Sequence, residues 1–197
     1  MRWIVFDYGE VICHRTAELP KVASLLGVPQ EVMEPAYWEL RDPYDRGWTD
    51  LEYWTELAAR VGISMDERQA AELTAVDVSG WLSVNPDTLT LLDDLAAAGY
   101  SLGFLSNAPA SHGRLFRQQP WAERFEHMVI SGELGIAKPD AEIWAALIAT
   151  LDADPAECVF LDDKQVNVAG AEAAGLHGHH WTGVEGARLR LAELGVL

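Results

Sequence analysis

Three apolar segments each run directly into polar side chains, and this pattern constrains the fold more than any other feature. The segments are residues 3–6, followed by Asp7; residues 101–105, followed by Ser106 and Asn107; and residues 158–161, followed by Asp162 and Asp163. Apolar side chains at consecutive positions are typical of a parallel strand that is covered on both faces. Because the C-terminal ends of parallel strands meet at one edge of a sheet, we expect these polar groups to lie together.

Strands and helices are expected to alternate through the C-terminal part of the chain. Further strands are predicted over residues 128–130 and 177–181, and helices over residues 86–98, 141–151, 166–174 and a last stretch that ends near Leu194. Asn85 is well placed to cap the first of these helices. Such alternation requires crossover connections, and it therefore predicts an α/β fold with a parallel sheet that has helices on both faces.

The segment between the first two predicted strands differs, because helical patterns dominate it and no strand is evident. Capping patterns begin at Thr49 and at Ser64, each ahead of an expected helix. We therefore predict a small all-helical domain of residues 14–85, inserted after the first strand. The core domain then consists of residues 1–13 and 86–197.

The tryptophans of this inserted segment allow two interpretations. Trp38, Trp48 and Trp54 all fall within it. We interpret them first as packing groups, because aromatic side chains contribute most to small cores. The alternative is an aromatic surface that faces the site and holds a sugar ring or an apolar tail.

The balance of charge argues against polyanionic partners. The chain has 31 acidic and 14 basic residues, which give a formal charge of −17. This field would repel a nucleic acid duplex or an anionic membrane surface, so we expect neither as a partner.

Two cysteines, Cys13 and Cys158, are too few for a disulfide framework and favour a reducing, cytoplasmic compartment. The sequence does not indicate an oligomeric state.

The polar groups at the expected sheet edge are those that phosphoryl transfer needs. Such a reaction requires a nucleophile, a metal ion that offsets charge, and donors to the equatorial oxygens. Asp7 offers a carboxylate nucleophile, and Asp162 and Asp163 offer hard oxygen ligands for Mg²⁺. Ser106 offers a hydroxyl donor, and Lys138 offers a compact cation.

The sequence resembles the haloacid dehalogenase-like superfamily through four segments that occur in the order FDYGEVI, LSN, AKP and FLDDKQVN. The helical insert resembles the small cap of one branch, which includes glucose-1-phosphate phosphatase-like proteins and the N-terminal phosphatase domain of soluble epoxide hydrolase. The resemblance implies a Rossmann-like core with a cap. It also implies a magnesium-dependent phosphatase that acts on a small phosphorylated metabolite, such as a sugar phosphate.

The same resemblance implies roles for the nucleophile and the metal ligands. Asp7 is expected to attack phosphorus and to form an aspartyl-phosphate. Mg²⁺ is expected to bind the carboxylates of Asp7 and Asp163 and the backbone carbonyl of Gly9, with support from Asp162. Asn167 is expected to orient either the active-site lysine or a metal-bound water.

The remaining site residues are expected to contact the substrate. The resemblance implies that Ser106, the backbone of Asn107 and Lys138 hold the phosphoryl oxygens, and that Lys138 also stabilises the nucleophile. Arg46 lies in a Tyr-Asp-Arg-Gly turn that is similar to a recurrent cap turn, and we expect it to contact the substrate.

One position departs from the pattern of many phosphatases in the superfamily. These carry a second Asp two residues after the nucleophile, which protonates the leaving group and later activates water. Here that position is Gly9, as it is in the glucose-1-phosphate phosphatase-like proteins. Whether the adjacent Glu10 compensates is left open.

Two alternative functions follow from this departure. The first is a 2-haloacid dehalogenase-type hydrolase, in which Asp7 attacks carbon without a metal and Arg15, Arg41 or Arg46 binds the substrate anion. The second is a non-catalytic relative that binds phosphate or a protein partner.

Overall fold

The computed structural model describes all 197 residues and is built around one parallel sheet. Its strand order is β3-β2-β1-β4-β5, with β1 (Trp3–Phe6), β2 (Ser101–Ser106), β3 (His127–Ile130), β4 (Cys158–Asp162) and β5 (His177–His180). The central strand β1 pairs in parallel with β2 and with β4. The strand order therefore reverses beside β1, and sites in such sheets lie beyond the C-terminal ends of the strands at this switch.

Strand register brings the polar groups of the first and fourth strands side by side. Phe6 is in register with Leu161, so the next residues of the two strands, Asp7 and Asp162, are neighbours. The backbone N–H of Asp7 donates to the Leu161 carbonyl at 2.9 Å, which extends the pairing by one residue to Asp7.

Of the six helices between β1 and β2, the first five form the insert. They are α1 (Leu19–Leu26), α2 (Gln30–Glu39), α3 (Arg41–Asp45), α4 (Asp50–Arg60) and α5 (Glu67–Gly80). They enclose their own apolar cluster, which contains Tyr37, Tyr53 and Trp54 among its fully buried members. The predicted helical insert after the first strand is thus confirmed, and the bounds 14–85 stay a prediction.

Two of the predicted capping patterns differ in outcome. Thr49 and Glu52 form a reciprocal capping box at the start of α4, as expected. Before α5 the prediction was wrong by two residues, because Asp66 and not Ser64 caps the helix. The Asp66 carboxylate accepts from the Gln69 backbone N–H at 2.7 Å, and only a residue immediately before Glu67 can reach that group.

Helices cover both faces of the sheet, as the continuous apolar strands predicted. The helices of the core are α6 (Pro86–Ala97), α7 (Ala110–Phe116), α8 (Ser131–Leu134), α9 (Ala141–Leu151), α10 (Gln165–Ala173) and α11 (Val184–Glu193), with two short 3₁₀ helices, Pro120–Arg124 and Pro155–Glu157. Alternate residues of β1 enter separate apolar clusters: Ile4 and Phe6 pack with Leu91 and Leu191, and Trp3 belongs to the cluster on the other face. None of the helices combines the length and the apolarity needed to cross a membrane.

The packing of α11 generates a test of the fold. Leu191 is fully buried, whereas Leu189 of the same helix is 65% exposed. We expect Leu191→Ala to lower the free energy of unfolding by about 2–5 kcal/mol, because it leaves a cavity against the sheet. We expect Leu189→Ala to change it by less than about 0.5 kcal/mol. Urea unfolding followed by tryptophan fluorescence measures both, and equal effects of the two substitutions would contradict the packing described.

Candidate active site

A buried lysine joins two of the predicted sheet-edge carboxylates. Lys138 Nζ donates to Asp7 Oδ1 at 2.7 Å, to Asp162 Oδ2 at 2.7 Å and to the Leu105 carbonyl at 3.0 Å. The side chain of Lys138 is 1% exposed, so its charge depends on these acceptors for compensation. Three strands thus supply the partners of one ammonium group, since Asp7 follows β1, Asp162 ends β4 and Leu105 lies in β2.

Asn107 fixes the backbone of Lys138. Its side-chain Nδ2 donates to the Lys138 carbonyl at 2.9 Å, and its Oδ1 accepts from the Lys138 backbone N–H at 2.9 Å. The Lys138-Pro139 peptide bond is cis. The side-chain amide of Asn107 therefore positions the lysine, and only its backbone N–H stays a candidate for direct contact with a phosphoryl oxygen.

Asp162 is fully occupied by protein donors. In addition to Lys138, its carboxylate accepts from the Lys164 backbone N–H at 2.8 Å and from Asn167 Nδ2 at 3.0 Å. Asp162 is completely buried. These contacts suit a residue that holds the lysine, and Asn167 in turn orients Asp162.

Asp163 differs from Asp162 in its burial and in its hydrogen bonding. It is only partly buried, and its carboxylate accepts no hydrogen bond from another side chain. His180 Nε2 donates to the Asp163 backbone carbonyl at 2.9 Å, which fixes the chain at this point. Carboxylate oxygens of Asp7, Asp162 and Asp163 lie within 4.8 Å of one another, so the group can hold one metal ion.

The charges of the cluster do not balance within the protein. Three carboxylates face one ammonium group, which leaves two negative charges when all are ionised. Burial raises the pKa of Asp7, the charge of Asp162 raises it further, and Lys138 opposes both, so that the pKa is about 7. Burial and Asp162 also raise the pKa of Asp163. Burial lowers the pKa of Lys138, but the charges of Asp7 and Asp162 outweigh burial and hold it above its ordinary value.

A cavity of 520 Å³ lies over this cluster, between the core and the insert. On the core side it is lined by Asp7, Gly9, Ser106, Lys138 and Asp163. The Ser106 side chain is 3% exposed and ends at the cavity, where its hydroxyl can donate to a bound oxyanion. The volume is within the range of about 300–1,000 Å³ that small-molecule sites occupy.

Arg46 is the one expected contact residue that the structure does not bring to the cavity. Its guanidinium pairs with Asp42 of the insert and with Asp140 of the core. Arg46 is absent from the cavity lining, which includes Arg15 and Arg41 instead. Its observed contacts therefore link the insert to the loop that carries Lys138.

The sequence did not reveal a buried polar network between the insert and the core. Asp77 of α5 accepts from Tyr37 Oη at 2.6 Å and from Arg41 Nη1 at 3.2 Å, and His112 Nε2 of α7 lies 3.2 Å from Asp77 Oδ2. Burial would raise the pKa of Asp77, but His112 and Arg41 hold it below its ordinary value. The one available signal was the position of Asp77 on the apolar face of α5, where Leu73 and Ala70 also lie.

Comparisons with known proteins point to one family of hydrolases. A family model described as a haloacid dehalogenase-like hydrolase matches residues 1–175. The sesquiterpene phosphatase of Aspergillus oryzae is 26% identical over 180 residues, covering 90% of this chain and 88% of that protein. The (S)-2-haloacid dehalogenase 1 of a Pseudomonas species is 25% identical over 190 residues, covering 90% of this chain and 82% of that protein.

Solved structures share the fold. The wild-type enzyme of the same family from Bacteroides thetaiotaomicron, in complex with magnesium and inorganic phosphate, has a TM-score of 0.71. The match is 20% identical and covers 92% of this chain and 98% of that chain. At this identity the likeness establishes the architecture alone.

The raised pKa of Asp7 predicts that Mg²⁺ affinity depends on pH. With a pKa of about 7, Asp7 should be mostly protonated at pH 5.5 in the metal-free protein, and this proton must leave before a cation binds the carboxylate. We expect the dissociation constant for Mg²⁺ to be about 30-fold larger at pH 5.5 than at pH 8, from the pKa difference alone. Isothermal titration calorimetry measures it, and equal affinity at both pH values would contradict the account.

The raised pKa of Asp7 also predicts how the free energy of unfolding depends on pH. The pKa of Asp7 is about 7 in the folded chain and 3.8 for a free carboxyl, so the folded state binds more protons between these values. The metal-free protein should therefore lose stability as pH rises from about 4 to 7, and Mg²⁺ should raise Tm by more at pH 8 than at pH 5.5. Asp163→Asn should weaken the effect of Mg²⁺, whereas Asp152→Asn, an exposed position, should not.

Proposed function

The chain belongs to the haloacid dehalogenase-like hydrolase family, and we propose that it is a magnesium-dependent phosphomonoesterase with Asp7 as its nucleophile. The observation that carries the proposal is the combination of a lysine-held carboxylate, Asp7, with an unoccupied carboxylate, Asp163, beside it. Attack on phosphorus places several negative charges together, and such a reaction needs the cations that this cluster has or can bind.

The residues present fit a bound Mg²⁺. Asp7 and Asp163 supply carboxylate oxygens, Gly9 lines the same cavity and supplies a backbone carbonyl, and the two excess negative charges match a divalent cation. Asp162 contributes charge, but its oxygens already accept hydrogen bonds from Lys138, Lys164 and Asn167. When bound, Mg²⁺ would keep Asp7 ionised and offset the charge of the phosphoryl oxygens.

The reaction then proceeds in two steps, in which Asp7, Lys138 and Ser106 have different roles. An Asp7 oxygen forms a bond to phosphorus while the bond from phosphorus to the leaving oxygen breaks, and the leaving oxygen takes the electron pair. Lys138 and the Ser106 hydroxyl donate to the phosphoryl oxygens in this step. Water then attacks phosphorus, which releases inorganic phosphate and restores the Asp7 carboxylate.

A dehalogenase function is the second candidate, and one observation favours it. Arg15 lies at the cavity, and unlike Arg41 and Arg46 it forms no ion pair that would neutralise it, so it is free to bind a substrate carboxylate. The relative from Pseudomonas carries out that reaction by its name. Attack on carbon has no use for the excess negative charge around Asp163, and for this reason we favour the phosphatase.

Phosphate release from p-nitrophenyl phosphate and from sugar phosphates tests the proposal. We expect turnover that requires Mg²⁺ and stops with chelator, because the carboxylate cluster is uncompensated without a cation. Asp7→Asn should lower kcat by at least about 10³-fold, since it removes the nucleophile. Asp152→Asn, the same substitution at an exposed position, should leave kcat unchanged.

The outcomes separate the candidate functions. Release of halide from 2-haloacids without metal, with no release of phosphate, would replace the proposal with the dehalogenase. Stabilisation by phosphate and Mg²⁺ without turnover of any ester or haloacid would instead indicate a binding protein.

A further inference from the structure

The leaving group of the proposed reaction must point towards the insert. An Asp7 oxygen attacks phosphorus in line with the bond that breaks, so the leaving group projects away from Asp7 into the cavity. The far side of the cavity is lined by residues of the connection between β1 and β2: Arg15, Trp38, Arg41, Asp42, Asp45 and Trp81. These side chains determine which leaving groups fit.

An aromatic edge borders the position two residues after the nucleophile. A Cβ on Gly9 would lie 4.0 Å from Trp81 Cζ3, in ordinary van der Waals contact. The indole is held in place, since Tyr8 Oη donates to the Trp81 carbonyl and Trp81 Nε1 donates to Tyr37 Oη at 3.3 Å. The surface beside Gly9 is therefore a fixed apolar wall.

The titratable groups on this side of the cavity are engaged or exposed. His112 has Nε2 3.2 Å from Asp77 Oδ2 and Nδ1 3.4 Å from Ser111 Oγ, so protein groups face both ring nitrogens. Asp45 pairs with Arg41 at 3.2 Å. Glu10 is exposed to solvent. Asp45 is the one largely buried carboxyl that lines this side of the cavity, and burial raises its pKa to about 6. It does not take the place of the missing acid, since a Cβ on Gly9 would have only Trp81 within 4 Å.

A second flat surface lies near the first. The Arg15 guanidinium stacks on the Trp38 ring, 4.3 Å from its centroid, and Trp38 meets Trp81 edge to face at 6.3 Å. Arg15 covers Trp38 and forms no ion pair, so it presents a planar cation to the cavity. Planar guanidinium groups stack favourably on aromatic ligands.

We propose that the substrate is a phosphate monoester of a planar, relatively acidic hydroxyl compound, a phenol or an enol, whose planar group packs against Trp81 and beside the Arg15–Trp38 pair. This inference rests on the proposed phosphatase function and names the substrate class of the same site. It follows from two independent features, the aromatic wall and the lack of a positioned acid.

The two features are linked by the chemistry of the leaving oxygen. Bond cleavage leaves the electron pair on that oxygen, and without a positioned acid the group departs as an anion that takes its proton from water. A phenolic oxygen, with a pKa of about 10 as in Tyr, carries this charge far more readily than an alkoxide. A positioned acid is typically worth about 10²–10⁴-fold, and alkyl esters should lose this factor.

A series of substituted phenyl phosphates and matched alkyl phosphates tests the inference on the unaltered, Mg²⁺-loaded protein. We expect kcat/KM to fall steadily as the pKa of the leaving group rises. Alkyl phosphates should be hydrolysed at least about 10²-fold less efficiently than phenyl phosphates. Glu10→Gln should not change this dependence.

Variants of Trp81 test the wall separately. Trp81→Leu should raise KM for phenyl phosphates about tenfold with little change for alkyl phosphates, because only the aromatic esters lose a ring-to-ring contact. Trp81→Phe should restore most of the affinity. Trp48→Leu, at a 37% exposed tryptophan outside the cavity, is the matched control and should change neither.

Failure of the inference can be told apart from failure of the proposed function. Equal kcat/KM for phenyl and alkyl phosphates, with activity still dependent on Asp7, would overturn the inference and keep the phosphatase. A loss of about 10²-fold in Glu10→Gln or in Asp45→Asn, seen with alkyl phosphates and not with phenyl phosphates, would also overturn it, since that carboxyl would then be the acid. Lack of hydrolysis of every ester would overturn both.

Discussion

The ion pairs of Lys138 with Asp7 and Asp162 are the interaction on which the site depends. Both contacts are 2.7 Å long and shielded from water, so loss of either carboxylate would leave a buried charge poorly compensated. The partners come from β1 and β4, and the adjacent carbonyl of Leu105 comes from β2. The site therefore assembles only when these three strands pair in the correct order and register.

The excess negative charge of this cluster lies beneath the helical insert, which contacts the core around it. Three carboxylates and one lysine leave an excess of negative charge in a largely buried cluster, which a bound divalent cation would relieve. The insert is held over it by contacts between charged and polar groups, such as Arg46 with Asp140 and Asp77 with His112. The insert thereby places the edge of the Trp81 ring next to Gly9.

The sequence predicted the sheet edge well because continuous apolar strands ending in polar residues are a local pattern. Asp7 and Asp162 met as expected, and α9 has the predicted bounds. The resemblance implied that Lys138 stabilises Asp7, but the sequence did not predict the contacts of Lys138 with Asp162 and with the Leu105 carbonyl, because only the fold brings these groups together. The side-chain role of Asn107 and the position of Arg46 outside the cavity depend on similar long-range contacts.

The most direct test of the central claim is to trap the covalent intermediate. The Mg²⁺-loaded protein is mixed with an aryl phosphate, quenched in acid within the first turnover, digested and analysed by mass spectrometry. We expect a phosphoryl group on the peptide that contains Asp7, and none in Asp7→Asn. A phosphoryl group on another residue, or full release of phosphate with no covalent adduct at any time, would contradict it.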